Sequence, residues 1–337
     1  MHAYEIRGSF GLENLAPVER PSQEVGPGQV RLALSAVSLN YRDLMTVEGS
    51  YNPRQKLPLI PCSDGAGTVV EVGAGVARFK AGDRALPIFA QRYIAGEPTR
   101  ERVRSTLGGP LDGTLASEIV LSEEGLVATP PSLSDEEAAT LACAGLTAWS
   151  ALITEGGIKA GDTVLVQGTG GVSIFALQFA RLAGARVIVT SSSDEKLERA
   201  RALGAWETIN YRGTQNWGAR AKELTGGRGV DLIVEVGGAG TLAQSLAAIR
   251  FGGTIALIGV LAGGAAEVSI IPVFMQKVRI QGILVGDRDA FEAMNRAIEL
   301  QGLKPLLDRT FPWSETKSAF EYLAAGRHFG KVVVATS

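Results

Sequence analysis

The sequence predicts an α/β protein built on a doubly wound parallel sheet, with β-rich segments at both ends of the chain. Three observations carry this. Residues 1–130 hold short alternating strands broken by glycines. From 134 to 285, strands and helices alternate. A glycine-rich turn joins one of those strands directly to a helix. Strands and helices in this rhythm imply crossover connections and a parallel sheet covered on both faces.

In GQVRLALSAVSLN (28–40), Val30, Leu32, Leu34 and Ala36 alternate with Arg31, Ala33 and Ser35, the pattern of a half-buried strand. GAGTVVEVGAGVARFKAGDRAL continues as strand-like runs interrupted by Gly73, Gly75 and Gly82, and SEIVLSEEGLVATPP follows as further β structure. Residues 91–112 lack a period and read as a long surface loop. Ser134 and Glu137 form a capping box that opens a helix through LACAG. Strands are expected at 163–167, 186–190, 206–210, 230–236, 254–260 and 278–285. Helices are expected at 172–184, 194–204, near 214–225, at 240–249 and near 287–301. Ser314 is the expected cap of SETKSAFEYLAAG, and GKVVVATS ends the chain as a strand that rejoins the N-terminal β structure.

The chemistry-bearing motif is Gly168-Thr169-Gly170-Gly171-Val172-Ser173, directly after strand TVLVQ. It is GxGxxG with serine last. Glycines between a strand and a helix allow a pyrophosphate to approach backbone N–H groups at the helix N-terminus. The end of the next strand distinguishes cofactors. An NAD site places a carboxylate there for the ribose 2′-hydroxyl. VIVTSSSDEK instead offers Ser191, Ser192 and Ser193, with Lys196 one turn into the helix, and this set suits the extra phosphate of NADP.

Composition narrows the function classes. The 337 residues exceed what one hydrophobic core usually holds, so two domains are expected. A net charge of −2 gives no footprint for nucleic acid or an anionic membrane, and no apolar run reaches membrane-spanning length. Two cysteines, Cys62 and Cys143, build no disulfide framework, and a reducing cytoplasm is the expected location. The two histidines, His2 and His328, lie near opposite chain ends, so carboxylates would have to complete any zinc site.

The stretches VSLNYRDL, DGAGTVVEVGAGVARFKAGDR, LACAGLTAWSAL, VLVQGTGGVSIFALQFARLAGARVIVTSSSDEK, NYR, VEVGG and HFGKVVV resemble the medium-chain dehydrogenase/reductase superfamily. Within it the chain resembles the zinc-independent quinone oxidoreductase and alcohol dehydrogenase-like branch. The resemblance implies a GroES-like catalytic domain from 1–133 with 286–337. It also implies a six-stranded Rossmann domain from 134–285. Zinc-dependent relatives carry a cysteine, a Gly-His-Glu triplet and a later cysteine. Here the first cysteine is absent from VSLNYRD, the triplet is Cys62-Ser63-Asp64, and the later position is Cys143. The structural-zinc lobe falls at 91–112, which holds no cysteine. No metal is therefore expected.

Without a metal as Lewis acid, conjugated acceptors that spread developing charge are favoured. The expected function is NADPH-dependent hydride transfer to a quinone or an α,β-unsaturated ketone or aldehyde. The alternatives are an alcohol dehydrogenase for a small alcohol/aldehyde pair and a non-catalytic NADPH-binding protein. By position, the resemblance implies Asn40 at the nicotinamide, Tyr41 as a hydrogen-bond donor to substrate, and Ser63 facing the catalytic site. It also implies cofactor contacts at Thr147, Tyr211, Gly237, Ile258, Gly259, Val260, Leu284, Val285, Gly330 and Lys331. Strand VRIQGILV offers an edge for a homodimer.

Overall fold

The computed structural model describes residues 1–336. It divides into two compact units, Met1–Leu146 with the segment from Gly286 onward, and Thr147–Val285. The sequence expectation placed the first boundary at 133/134. In the structure, Asp135 takes the Arg84 guanidinium and the Ser35 hydroxyl, and this draws the segment after Ser134 into the first unit.

The first unit opens with an antiparallel ribbon of β1 (His2–Ile6) and β2 (Leu15–Glu19). It continues through β3 (Gln29–Leu39), β4 (Asp64–Val72), β5 (Arg84–Pro87), β6 (Glu118–Ser122) and β7 (Leu126–Ala128). The second unit holds β8 (Thr163–Gln167), β9 (Arg186–Ser191) and β10 (Glu207–Asn210). It is completed by β11 (Val230–Glu235), β12 (Ile249–Leu257) and β13 (Arg279–Gly282). The chain then returns to the first unit with β14 (Leu307–Pro312) and β15 (Lys331–Ala335).

β3 is the organiser of the first unit. It pairs with β15, β4 and β6, and the sheet runs β14-β15-β3-β4-β5-β7. Its alternation feeds two cores. Val30, Leu32 and Leu34 pack with Val69, Ala85 and Leu126. Val37 and Leu39 pack with Ile6, Phe320, Val332 and Val334. The antiparallel register sets Leu39 opposite Val332 and Ser38 opposite Asp64. The end of β3 therefore meets the beginnings of β4 and β15 at one end of the sheet.

The second unit is a six-stranded parallel sheet in the order β10-β9-β8-β11-β12-β13. Val164–Val166, Val187–Val189 and Leu232–Val234 are buried, as expected of strands covered on both faces. The helix Gly171–Leu182 buries Ile174, Phe175, Leu177 and Phe179, with the Phe175 and Phe179 rings stacked at 5.7 Å. Among the described residues, no helix is long and apolar enough to cross a membrane.

Several expected elements differ. The helix opened by Ser134 spans only Asp135–Ala138 before the chain passes into wider helical turns at Leu141–Gly145. A short helix, Arg100–Val103, interrupts the expected loop at 91–112. Ser314 is not a cap: Trp313–Glu315 forms a tight 3₁₀ turn, and Thr316 bonds Trp313 O as the helix Thr316–Ala324 begins. β12 starts earlier than expected, at Ile249. The strand expected over 278–285 is shortened to Arg279–Gly282, and Val285 has φ 54°, a conformation a strand does not adopt.

Asp231 fastens the amino ends of three strands. Its carboxylate accepts from Thr163 N at 2.8 Å, from both Arg228 Nη atoms at 2.6 and 2.9 Å, and from Arg250 Nε at 2.6 Å. Burial alone would raise its pKa; the Arg228, Thr163 and Arg250 hydrogen bonds outweigh that and hold it at about 2, below the ordinary 3.8. A depressed carboxylate contributes stability that is present above its unfolded pKa and lost as pH falls toward the folded value. Asp231→Asn is expected to lower unfolding stability at pH 7 by about 1–2 kcal/mol after allowance for solvent screening, and to flatten the loss of stability between about pH 4 and 2. Urea unfolding across that pH range checks this; an unchanged acid limb contradicts it.

Candidate functional site

Because every strand of the second unit is parallel, the segments after the six strands share one sheet edge, the edge where α/β sheets bind ligands. Gly168 follows β8 with φ 75°, a conformation that favours glycine, and its N–H bonds Thr190 O at 2.8 Å. Thr169 and Gly170 complete the turn. The helix begins at Gly171 with Gly170 as its N-cap and no side chain capping it, so the first-turn N–H groups, that of Val172 among them, keep no intrahelical partner. Ser173, in place of the last glycine, donates to Gln167 O at 2.7 Å and ties helix to strand.

At the end of β9, Ser191 Oγ accepts from Ser193 N at 3.3 Å, and Ser193 Oγ caps the helix Asp194–Ala202 through Lys196 N. Ser192 and Lys196 are half-buried. Asp194, the first residue of that helix, accepts from Asn210 Nδ2 at 2.7 Å. Tyr211, after β10, is exposed and its N–H bonds Ser191 O. Gly237 follows β11, and Ile258, Gly259 and Val260 follow β12, with Ile258 N and Gly259 N on Glu235 O. Leu284 is exposed and Val285 nearly buried after β13. Thr147 is buried in the helical turn Leu146–Trp149, which precedes β8 in the chain.

Sequence reasoning missed the group that organises this edge. Glu235 is fully buried, yet its carboxylate accepts from Gln167 Nε2 at 2.6 Å, Gly237 N at 2.9 Å, Gly238 N at 3.0 Å and Thr241 Oγ1 at 2.6 Å, and also from Ser245. A buried carboxyl group so fully hydrogen-bonded fixes the turn after β11. The available signal was the glutamate near the end of the run VDLIVEV, four residues after Asp231.

The first unit carries a second polar centre at the end of β3. Gly330, at φ 88°, turns the chain into β15 and delivers Lys331. The Lys331 ammonium is buried and donates to Leu39 O at 2.7 Å and Asn40 Oδ1 at 2.6 Å. An ammonium only donates, so this bond fixes which end of the Asn40 amide is oxygen. Asn40 Nδ2 reaches toward Asp64 without completing a hydrogen bond, leaving a buried, unpaired donor. Asp64 is fully buried; it accepts from Ser63 Oγ at 2.7 Å and Cys143 N at 3.1 Å. Burial raises the Asp64 pKa, and the Lys331 charge pulls against it. Asp43, also fully buried, accepts from Asn40 N at 2.8 Å and is pushed up by burial to about 6 despite Arg42 at 3.6 Å.

The expected residues therefore separate into two groups. Asn40, Ser63, Gly330 and Lys331 gather in the first unit, and the remaining candidates other than Tyr41 and Thr147 follow strands of the second. Ser63, expected to face an open site, is instead fully buried, because its hydroxyl is committed to Asp64. Tyr41 begins the helix Tyr41–Val47 with its side chain half-exposed.

Burial, reinforced by Asp43 and Asp64, pushes the Cys62 thiol well up, and burial with Asp64 does the same to Cys143. Among the described residues, no three His, Cys, Asp or Glu side chains are grouped to share a metal ion.

Residues 26–131 match the alcohol dehydrogenase GroES-like domain, and residues 171–299 the zinc-binding dehydrogenase family. A zinc-type alcohol dehydrogenase-like protein of Schizosaccharomyces pombe is 44% identical, over 96% of both chains. The chain belongs to the medium-chain dehydrogenase/reductase superfamily. A 2-haloacrylate reductase of a Burkholderia species is 31% identical, over 98% of this chain and 97% of that protein. The solved structure of an NAD-dependent alcohol dehydrogenase is 35% identical, with a TM-score of 0.92 across the whole of both chains. Membership makes this chain an NAD(P)-dependent oxidoreductase with a Rossmann sheet and a GroES-like domain.

Lys331→Met removes the charge that faces Asp64. It is expected to lower stability by about 3 kcal/mol, with Asp64→Asn in the same chain restoring part of it, since an unpaired buried carboxylate is then gone. Urea unfolding of the wild type, both single variants and the double checks the coupling; strictly additive effects contradict it.

Proposed function

We propose that this oxidoreductase is an NADPH-dependent reductase of activated carbonyl acceptors, quinones or α,β-unsaturated ketones and aldehydes, and that it works without a metal. The observation that carries this is the Lys331 ammonium bonded to Asn40 beside buried Asp64, with both cysteine thiols disfavoured as thiolates. A conjugated acceptor spreads developing charge and needs less Lewis-acid help than a simple ketone.

The glycine turn from Gly168 through Val172 would hold the pyrophosphate. Ser191, Ser192, Lys196 and Tyr211 would hold the 2′-phosphate, where Asp194 is already engaged by Asn210. Thr147, Gly237, Ile258, Gly259, Val260, Leu284, Val285, Gly330 and Lys331 are the remaining proposed cofactor contacts. NADPH, when bound, supplies a hydride to the acceptor and leaves as NADP⁺, while a proton from water completes the reduction. Asn40 offers its unpaired buried Nδ2 as a donor to a ligand oxygen. Tyr41 offers its hydroxyl to the acceptor oxygen. Ser63 acts by holding Asp64 rather than by touching substrate. The 2-haloacrylate reductase, named for a conjugated acid, supports the reductase reading. The name of the NAD-dependent alcohol dehydrogenase favours a second reading, oxidation of a small alcohol with NAD.

Steady-state turnover separates them. NADPH oxidation with quinones and enones is expected to exceed alcohol oxidation with NAD, and Lys196→Ala is expected to raise KM for NADPH about tenfold while leaving NADH little changed. Turnover confined to alcohols, or equal effects of the variant on both cofactors, contradicts the proposal.

We also infer a homodimer through β13, an open sheet edge with exposed Ile270, Ile271, Phe274 and Met275 in the same unit. Equilibrium sedimentation is expected to give twice the chain mass; the mass of one chain contradicts it.

A further inference from the structure

Residues 92–104 carry four arginines against two glutamates in a chain whose net charge is −2. Three of those arginines, Arg92, Arg100 and Arg104, line one open depression of about 530 Å³ with Glu101, Ser105 and Leu111. Arg92 is answered by Glu101 at 2.8 Å. Arg7, Arg20, Arg31, Arg78, Arg84 and Arg288 of this unit form ion pairs, whereas Arg100 and Arg104 are exposed and, like Arg54 and Arg296, have no acidic partner among the described residues. They stand four residues apart across the helix Arg100–Val103, so two like charges share one side and oppose the helix they flank.

The frame beneath them is fixed. The Arg102 guanidinium is turned inward onto Ala95 O at 3.0 Å and Glu97 O at 2.9 Å. Buried Ser105 donates to Arg102 O at 2.6 Å and accepts from Arg92 N at 2.8 Å. The same segment is tied to the polar centre of its unit. Leu107 O accepts from Arg42 Nη1 at 2.9 Å, and the Arg42 guanidinium is held between the rings of Tyr51 and Phe89 at 4.9 and 4.8 Å. Arg42 directly follows Tyr41 and Asn40. A buried cation thus links the segment that carries the depression, two residues beyond Ser105, to the residues proposed to meet the acceptor.

We propose that this depression binds a phosphate-bearing tail of the acceptor. Guanidinium forks match phosphate oxygens in pairs, and an anion set between Arg100 and Arg104 relieves their mutual repulsion. The volume exceeds what a lone carboxylate fills and lies in the range of sites for extended small molecules. The proposal deepens the reductase reading and rests on it for the reaction, while binding can be read independently.

The test uses matched acceptors with the full chain and saturating NADPH: the 2-butenoyl thioester of coenzyme A, which carries phosphates, and that of N-acetylcysteamine, which does not. The wild type is expected to show a KM about tenfold lower for the coenzyme A ester, a gap that closes as salt rises. Arg100→Gln with Arg104→Gln is expected to raise that KM about tenfold, leaving kcat and the neutral ester unchanged; turnover of the neutral ester also reports that the variant is folded. Equal KM values in the wild type, or equal shifts for both esters, overturn the proposal. If neither ester is reduced, the reductase reading has failed for this acceptor class, and calorimetric titration with free coenzyme A in the presence of NADP⁺ still reads the site. Heat lost in the double variant supports the site, and heat unchanged overturns it.

Discussion

The Lys331 ammonium, sealed between Leu39 O and Asn40 Oδ1, is the contact on which the first unit is organised. Placing an ammonium in a protein interior is unfavourable by several kcal/mol unless carbonyls and carboxylates surround it. The sheet supplies them. β15 lies beside β3, and β3 beside β4, in a register that gathers the end of one strand and the beginnings of two others. Asp64 can stay buried because the ammonium, the Ser63 hydroxyl and the Cys143 N–H all act on it. The last strand of the chain thereby completes a centre whose other members lie within its first 150 residues.

That arrangement has chemical consequences. It sets an internal cation beside Asp64 and closes both Asp43 and Asp64 off from solvent. Burial and the neighbouring carboxylates keep Cys62 and Cys143 as thiols. This packing leaves Asn40 Nδ2, Arg42 Nε and Asp43 Oδ1 without a hydrogen-bond partner, and of these Asn40 Nδ2 is a donor whose orientation the Lys331 contact fixes. In the second unit the same logic recurs with the opposite sign. Buried Glu235 is surrounded by donors from β8, the turn after β11 and the following helix. It sets the backbone at the sheet edge where a dinucleotide would lie.

Local pattern made much of the second unit legible. The run TVLVQ is β8, because a strand covered on both faces has to be continuously apolar. Gly168 opens the turn after it at φ 75°, a conformation that favours glycine. Elsewhere local pattern was insufficient. Ser314 has cap chemistry, but a 3₁₀ turn before the helix displaces its role. VRIQGILV has strand composition, yet Val285 leaves extended geometry. Ser63 looked like a residue for an open site, and the charge of its neighbour Asp64 turned it inward. The pairings that define the polar centres were invisible for one reason. Lys331 and Asn40 are 291 residues apart in sequence, and Gln167 and Glu235 are 68 apart, so no periodicity connects them.

The central claim is that an internal ammonium and its buried carboxylate do the work of positioning that zinc does in other members of the superfamily. Elemental analysis of freshly purified protein, paired with its NADPH turnover on an enone, tests this most directly. The account predicts full activity with zinc far below one atom per chain, and no gain when zinc is added. One zinc per chain, with activity that rises and falls with it, would contradict the account.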